Sequence, residues 1–284
     1  MAKARRYFLL GLVVVLSLSV GLVWYLALFL PARELLMKVY DVGQGDSIFI
    51  RTPGGYKILV DGGPDNKVLG YLEHDLGLFD RKIDVVVLTH PQEDHMFGLV
   101  EVIKRFQIGR LLVSGVDSPT NIYKLWFKTL QERSLTPTVV TAGTEIGFPD
   151  NVKMKIIWPK EEHPVVKDLN EAMVVFQLSY GNFDALLTGD GDQQTQPYTG
   201  SLGHIEVLKV PHHGSKTALS DSFLKQITPE ISVISVGKNN RYGHPGQNAL
   251  EQLRAINSKI YRTDQNGTVE IVSDGNKWYT VTEK

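Results

Sequence analysis

The apolar positions of this chain fall into one long unbroken block followed by many short ones. No residue from 7 to 31 is charged, and that stretch is long enough to cross a bilayer as a single helix. Beyond Glu34 the blocks shorten, and their period alternates between that of a strand and that of a helix. Residues 37–50 and 56–60 read as strands joined by the turn Thr52-Pro53-Gly54-Gly55, with a helix expected over 69–78. Residues 84–88 read as a buried strand. Phe97, Val100, Ile103 and Phe106 recur at helical spacing and predict a helix over 97–105. Ile122, Leu125, Trp126, Thr129 and Leu130 predict another over 121–133. Further strands are expected at 154–157, 174–179, 185–187, 207–210, 231–236, 269–272 and 278–281, and helices at 221–226 and 247–256. Strands that first pair as hairpins and then alternate with helices, twice over, predict an α/β fold of two mixed sheets packed face to face with helices outside.

Composition narrows the function. With 284 residues, 43% hydrophobic and 21% charged, the chain can bury a large core and is not disordered. The formal net charge of −1 conceals an asymmetry: Lys3, Arg5, Arg6 and Arg33 precede Glu34, so the remainder is acidic. An acidic globular part lacks the basic track that strong non-specific nucleic-acid binding requires. There are no cysteines, which excludes disulfides, thiolate metal sites and cysteine nucleophiles. The apolar run exceeds the roughly 7–15 residues of a signal-peptide core and is followed by no small-x-small cleavage pattern. An uncleaved anchor over 7–31 is therefore expected, with 1–6 in the cytoplasm and a domain over 34–284 outside it, because Lys3, Arg5 and Arg6 lie before the span.

Candidate chemistry sits where predicted strands stop. The strand over 84–88 runs into Thr89-His90-Pro91-Gln92-Glu93-Asp94-His95, Asp61 closes 57–60, Asp190 follows 185–189, and His212-His213 follow 206–211. Four strand ends carrying Asp or His predict a polynuclear metal site built from distant parts of the chain. Of His212 and His213, one is expected to bind metal while the other packs or reaches substrate, because adjacent residues leaving a strand point to opposite sides; His212 is the favoured ligand. Asp61 is expected to bond a ligand imidazole and fix its tautomer. Asp46 either accepts loop amides or lines the site. His244, between Gly243 and Pro245, could hold a phosphate oxygen or protonate a leaving group. Ser215, Lys216 and Tyr242 are the remaining substrate-side candidates, and Lys209, Lys216, Lys238 and Arg241 form a candidate basic rim. His74, His163 and His204 have no strand-end context and are expected to be solvated.

The motifs Asp41-Val42-Gly43-Gln44-Gly45-Asp46-Ser47, Val60-Asp61-Gly62-Gly63, Thr89-His90 to His95, Leu187-Thr188-Gly189-Asp190, Val210-Pro211-His212-His213-Gly214-Ser215 and Tyr242-Gly243-His244-Pro245 together resemble the metallo-β-lactamase superfamily. Within it, they are similar to the hydrolase-like domain at the end of ComEC competence proteins. The resemblance covers residues 37–272 and implies an αββα sandwich with a one- or two-metal site. It implies a metal-dependent hydrolase, with phosphodiester bonds, DNA among them, as the expected substrate. It assigns His90, Gln92, Asp94, His95, Asp190 and His212 or His213 to metal, with Asp190 bridging two ions and Asp94, Asp190 and His244 serving catalysis. The family's large membrane channel has no counterpart here, so a transport role does not carry over. The sequence also departs from the family: Gln92 stands where the superfamily has a second His and ComEC-like domains often an Asp, and Asn170 where many members have a third His, although an Asn there also resembles the ComEC-like pattern. A neutral amide is a weak ligand for a transition ion, so the site on the His90 side is expected to be loose. The ligand set suits zinc or manganese. A phosphorylcholine-esterase-like activity on the cell envelope and a non-catalytic binding module are the alternatives.

Overall fold

The computed structural model describes residues 2–29, 34–77, 79–164, 166–196 and 202–284. The predicted end of the anchor, Pro31, and Leu78 of the first predicted helix lie outside them. The chain divides into two compact units, Met1–Arg33 and Glu34–Lys284. The first is one helix, α1 (Ala2–Phe29). Its Arg5–Tyr25 stretch is long and apolar enough to cross a membrane. Phe8, Leu9, Val13, Val15, Leu18, Leu22 and Trp24 are all exposed, so the apolar surface runs right round the helix instead of forming the stripe of a core-facing one.

The second unit runs β1 (Leu35–Val39), β2 (Ile48–Arg51), β3 (Lys57–Val60), α2 (Lys67–Leu76), β4 (Lys82–Leu88), α3 (Glu93–Arg105), β5 (Gln107–Val113), α4 (Asn121–Glu132), β6 (Thr138–Val139), β7 (Glu145–Gly147), β8 (Lys153–Trp158), β9 (Val175–Tyr180), β10 (Phe183–Leu187), β11 (Val207–Lys209), α5 (Asp221–Ile227), β12 (Ile231–Ile234), α6 (Gln247–Ala255), β13 (Lys259–Arg262), α7 (Thr263–Asn266), β14 (Val269–Ser273) and β15 (Trp278–Thr282). One sheet has the order β15-β14-β1-β2-β3-β4-β5-β6 and the other β13-β12-β11-β10-β9-β8-β7. Both are mixed, with β3 to β6 and β10 to β13 parallel.

Strand alternation explains the layering. Ile58, Val60, Val85 and Val87 meet Phe176, Leu178, Ala185, Leu187, Val207 and Val233 in the core between the sheets. Leu59, Val86 and Leu88, one residue out of phase, pack under α2, α3 and α4 with Leu72, Leu99, Ile103 and Trp126. Leu186, Leu208 and Ile234 do the same under α5 and α6. With both faces covered, β4 reads as a continuous apolar run, as expected of parallel strands. The result is the αββα sandwich.

Two expectations change. Residues 37–50 are not one strand: β1 and β2 pair antiparallel, and the loop between them reverses the chain with Gly43 and Gly45 at φ 93° and 139°, values open to glycine. The helix expected from Phe97 starts four residues earlier, at Glu93, which puts Asp94 and His95 in its first turn. A carboxylate there is favoured by the helix dipole.

Candidate metal centre

Asp61 organises the site. It follows β3 with φ 56° and is fully buried. Its Oδ1 accepts from the Thr89 backbone N–H at 2.8 Å and its Oδ2 from the Thr89 hydroxyl at 2.7 Å. His95 Nδ1 lies 2.8 Å from the same Oδ2, and His90 Nδ1 lies 3.0 Å from Thr89 Oγ1. Since the Thr89 hydroxyl hydrogen goes to Asp61, its oxygen is left to accept, and both imidazoles carry a proton on Nδ1. His213 follows the same rule: its Nδ1 is 2.8 Å from the carbonyl oxygen of Ser235, which can only accept. Among the described residues, Nε2 of His90, His95 and His213 and Oδ1 of Asp190 are buried without a hydrogen-bond partner. Buried polar atoms are ordinarily paired, so this set of lone pairs is a chemical fit for a cation.

The atoms also converge. Asp94, His95, Asp190 and His213 each place one ligand atom within 4.8 Å of the others, close to twice a metal–ligand bond of about 2.0–2.2 Å. His95 Nε2 is 3.3 Å from Asp190 Oδ2, and His213 Nε2 is 3.5 Å from both Asp190 Oδ2 and Asp94 Oδ2. The His90 ring stands 4.2 Å from that of His95. On its side, Gln92 Nε2 donates to Asn170 Oδ1 at 2.9 Å, so the two amides meet beside His90.

Electrostatics sharpen the picture. Burial opposes an imidazolium at His95, but Asp190, Asp61 and Asp94 outweigh it and hold the ring's pKa well above the ordinary value. His213 is raised too: burial lowers it, and Asp190, Asp94 and Asp46 more than compensate. Burial and then the neighbouring His95 push His90 down to about 4. Asp94 falls to about 2, with His95 and His213 overcoming its burial, and Asp190 lies well below the carboxylate range for similar reasons. A field that retains extra protons on two histidines equally favours a divalent cation.

Of the two adjacent histidines, the structure brings His213 and not the favoured His212 to the cluster. Both stand in the 3₁₀ turn Pro211–Gly214 with left-handed backbones, φ 46° and 52°. The chain coils there instead of extending, and it is His213 that swings into the cluster. The His212 ring lies 6.4 Å from that of His213 and 5.8 Å from that of His244, and Tyr242 stands 5.7 Å beyond His244. Gly246 N–H donates to Gly214 O at 2.7 Å, which ties the two loops together. Burial, then His213 and His212, lower the His244 pKa. Lys216 and Tyr242 are exposed at this mouth, Arg241 donates to Tyr242 Oη at 2.9 Å, and Ser215 is buried against Thr217 at 3.4 Å. Lys209 is not part of the rim: it is fully buried and paired with Asp46. His74, His163 and His204 are exposed. Sequence reasoning missed the relay through Thr89 and the support from Ser235. It could have found Lys209, a lysine between Leu208 and Val210 in a strand with both faces covered, which must meet a carboxylate.

Residues 40–238 match the metallo-beta-lactamase superfamily, and the chain belongs to it. It is 29% identical over 259 residues to ComE operon protein 3 of Bacillus subtilis, covering 82% of this chain and 32% of that one. It is 27% identical over 258 residues to competence protein ComA of Neisseria gonorrhoeae, covering 89% and 34%. The chain thus spans about a third of the length of these relatives. Among solved structures, CmlA, a diiron β-hydroxylase from Streptomyces venezuelae, shares the fold at 15% identity and TM-score 0.52, covering 89% of this chain and 54% of that one.

Proposed function

We propose that this chain is a membrane-anchored hydrolase of phosphodiester bonds that depends on a divalent metal and acts outside the cytoplasm, with DNA as one candidate substrate. The observation that carries the reading is the convergence of Asp94, His95, Asp190 and His213, with the imidazole lone pairs held inward by Asp61 and Ser235. Asp94, His95, Asp190 and His213 would hold a divalent ion, which would supply Lewis-acid chemistry by lowering the pKa of water toward about 7 and polarising a phosphoryl oxygen. Asp94 and Asp190 would supply the negative charge that retains it. His90, with Gln92 and Asn170 beside it, offers a second, weaker position, consistent with its neutral amides. His212 and His244, with exposed Lys216 and Arg241 nearby, face an incoming phosphate, and His244 is placed to hold an oxygen or protonate the leaving group. The competence relatives support DNA, while the acidic domain favours a small phosphoester such as an envelope headgroup.

The test uses the full chain in detergent with manganese or zinc supplied, and measures bound metal together with hydrolysis of a chromogenic phosphodiester and of single-stranded DNA. Asp94→Ala should lose metal and turnover together. His244→Ala should keep its metal and lose turnover by roughly 10²- to 10⁴-fold. Equal trace hydrolysis by wild type and both variants would overturn the enzyme in favour of a binding module. Turnover of the chromogenic ester without any of DNA would redirect the substrate to small phosphoesters.

A further inference from the structure

Lys209 is a buried lysine outside the set of converging ligand atoms. It stands in β11 at 1% exposure, pairs with the buried carboxylate of Asp46 and donates to the carbonyl of Gly189 at 3.3 Å. Gly189, at φ 52°, is the residue before Asp190, so the ammonium grips the turn that presents that carboxylate. Asp46 stands beside His213. Its Oδ1 is buried without a hydrogen-bond partner among the described residues and lies 3.5 Å from His213 Nδ1. The His213 proton goes instead to the Ser235 carbonyl at 2.8 Å. Ser235 Oγ in turn donates to Gly45 O at 2.6 Å, one residue before Asp46. A buried charge pair is no better for packing than a well-fitted apolar pair. Packing alone therefore does not account for charges placed beside both Asp190 and His213.

We infer that Lys209 and Asp46 are a positioning pair for the metal centre. Lys209 draws Asp46 off the His213 Nδ1–H, which leaves that proton on a neutral carbonyl, and it fixes the Gly189 carbonyl so that Asp190 points inward. His95 is then backed by a carboxylate, Asp61, and His213 by a carbonyl, so the two rings differ in basicity, as outer partners dictate. The loop containing Asp41 to Asp46 gains a role as the support of His213. This inference rests on the metal-centre reading.

Chelator competition with Mn²⁺ and Zn²⁺ on the full chain in detergent tests it, with the thermal midpoint of each metal-free variant measured in parallel. Lys209→Met alone would strand a buried carboxylate, so the double variant Lys209→Met/Asp46→Asn, which removes both charges at nearly constant volume, carries the test. Asp46→Asn strands the buried ammonium and should melt lower, and its folded form is read for metal affinity in the same way. The double variant should melt near the wild-type midpoint, and both variants should bind metal about 10- to 100-fold more weakly, the usual effect of losing an outer partner. Wild-type affinity in either folded variant would overturn the inference and leave the pair a structural one. Absence of metal binding in the wild type would instead overturn the metal-centre reading on which it stands.

Discussion

Three donors, the Thr89 N–H, the Thr89 hydroxyl and His95 Nδ1–H, converge on the two oxygens of Asp61, and only a carboxylate can accept from all of them. Asp61→Asn keeps the shape, and an asparagine tolerates the left-handed backbone that this position adopts. It nevertheless turns an N–H₂ toward one of those donors. The expected cost is about 1–3 kcal/mol of stability, from one buried donor left unsatisfied. Metal affinity should fall about 10- to 100-fold, because His95 loses the partner that fixes its tautomer. Thermal denaturation and chelator competition check both, and unchanged affinity would show that Asp61 serves only the fold. Gln92 makes the converse case. Its amide is bonded to Asn170 beside His90, so Gln92→His should raise the metal stoichiometry; no change would mean that the amide pair is only a spacer. The residues gathered in the cluster were legible where their spacing is short and linear, as for His90, Asp94 and His95. The choice between His212 and His213 was not, because it turns on two left-handed φ values that no strand alternation foretells. Thr89 was invisible for another reason: its hydroxyl matters only once Asp61 is known to face it.

At the scale of elements, the site depends on how closely α3 approaches the end of β3. Gly62 N–H donates to His95 O at 2.7 Å and Gly98 N–H to Gly63 O at 3.1 Å. A Cβ on Gly98 would strike the Gly62 carbonyl oxygen, a backbone atom that cannot swing aside. Gly98→Ala therefore forfeits the helix-propensity gain of roughly 1 kcal/mol. It should instead destabilise by about 1–3 kcal/mol through overpacking and weaken metal binding as Asp94 and His95 shift. Gly70, exposed in α2 with nothing within 4 Å of its would-be Cβ, is the control: Gly70→Ala should stabilise by up to about 1 kcal/mol. Denaturant melts of the two variants should move in opposite directions, and a shared direction would refute the docking argument. The helices were legible because their apolar faces repeat at helical spacing. β5 and β13 escaped, since the first half of β5 is mostly exposed and β13 lies at a sheet edge, so neither shows a clean alternation. The β1–β2 reversal escaped because apolar residues continue on both sides of its glycines.

For the whole molecule, the cations Lys3, Arg5 and Arg6 ahead of an apolar helix predict that a periplasmic-type reporter fused after Lys284 is active and a cytoplasmic-type one silent; the opposite pattern would move the domain inside. The charge balance of the centre makes a second, sharper prediction about the folded domain. In the metal-free chain His95 and His213 have folded-state pKa values above the unfolded value, so their stabilisation is full below a pH of about 6.5 and is lost as pH rises through the raised values. His90, lowered to about 4, contributes the reverse: its share is full above about 6.5 and is lost as pH falls toward that value. Asp94, at about 2, and Asp190 give stability that is full above about 4 and disappears only in strong acid. Above about 6.5 the two raised histidines are still changing, so the chelator-treated chain should melt at progressively lower temperature as pH increases. Bound metal inverts this, because it needs those same nitrogens deprotonated and its affinity grows as protons leave. Melting curves collected from about pH 6 to 9, with chelator and with saturating manganese or zinc, should therefore have slopes of opposite sign. Parallel slopes would mean that His95 and His213 do not exchange protons for metal, and the cluster would have to be read as a charge network of the core.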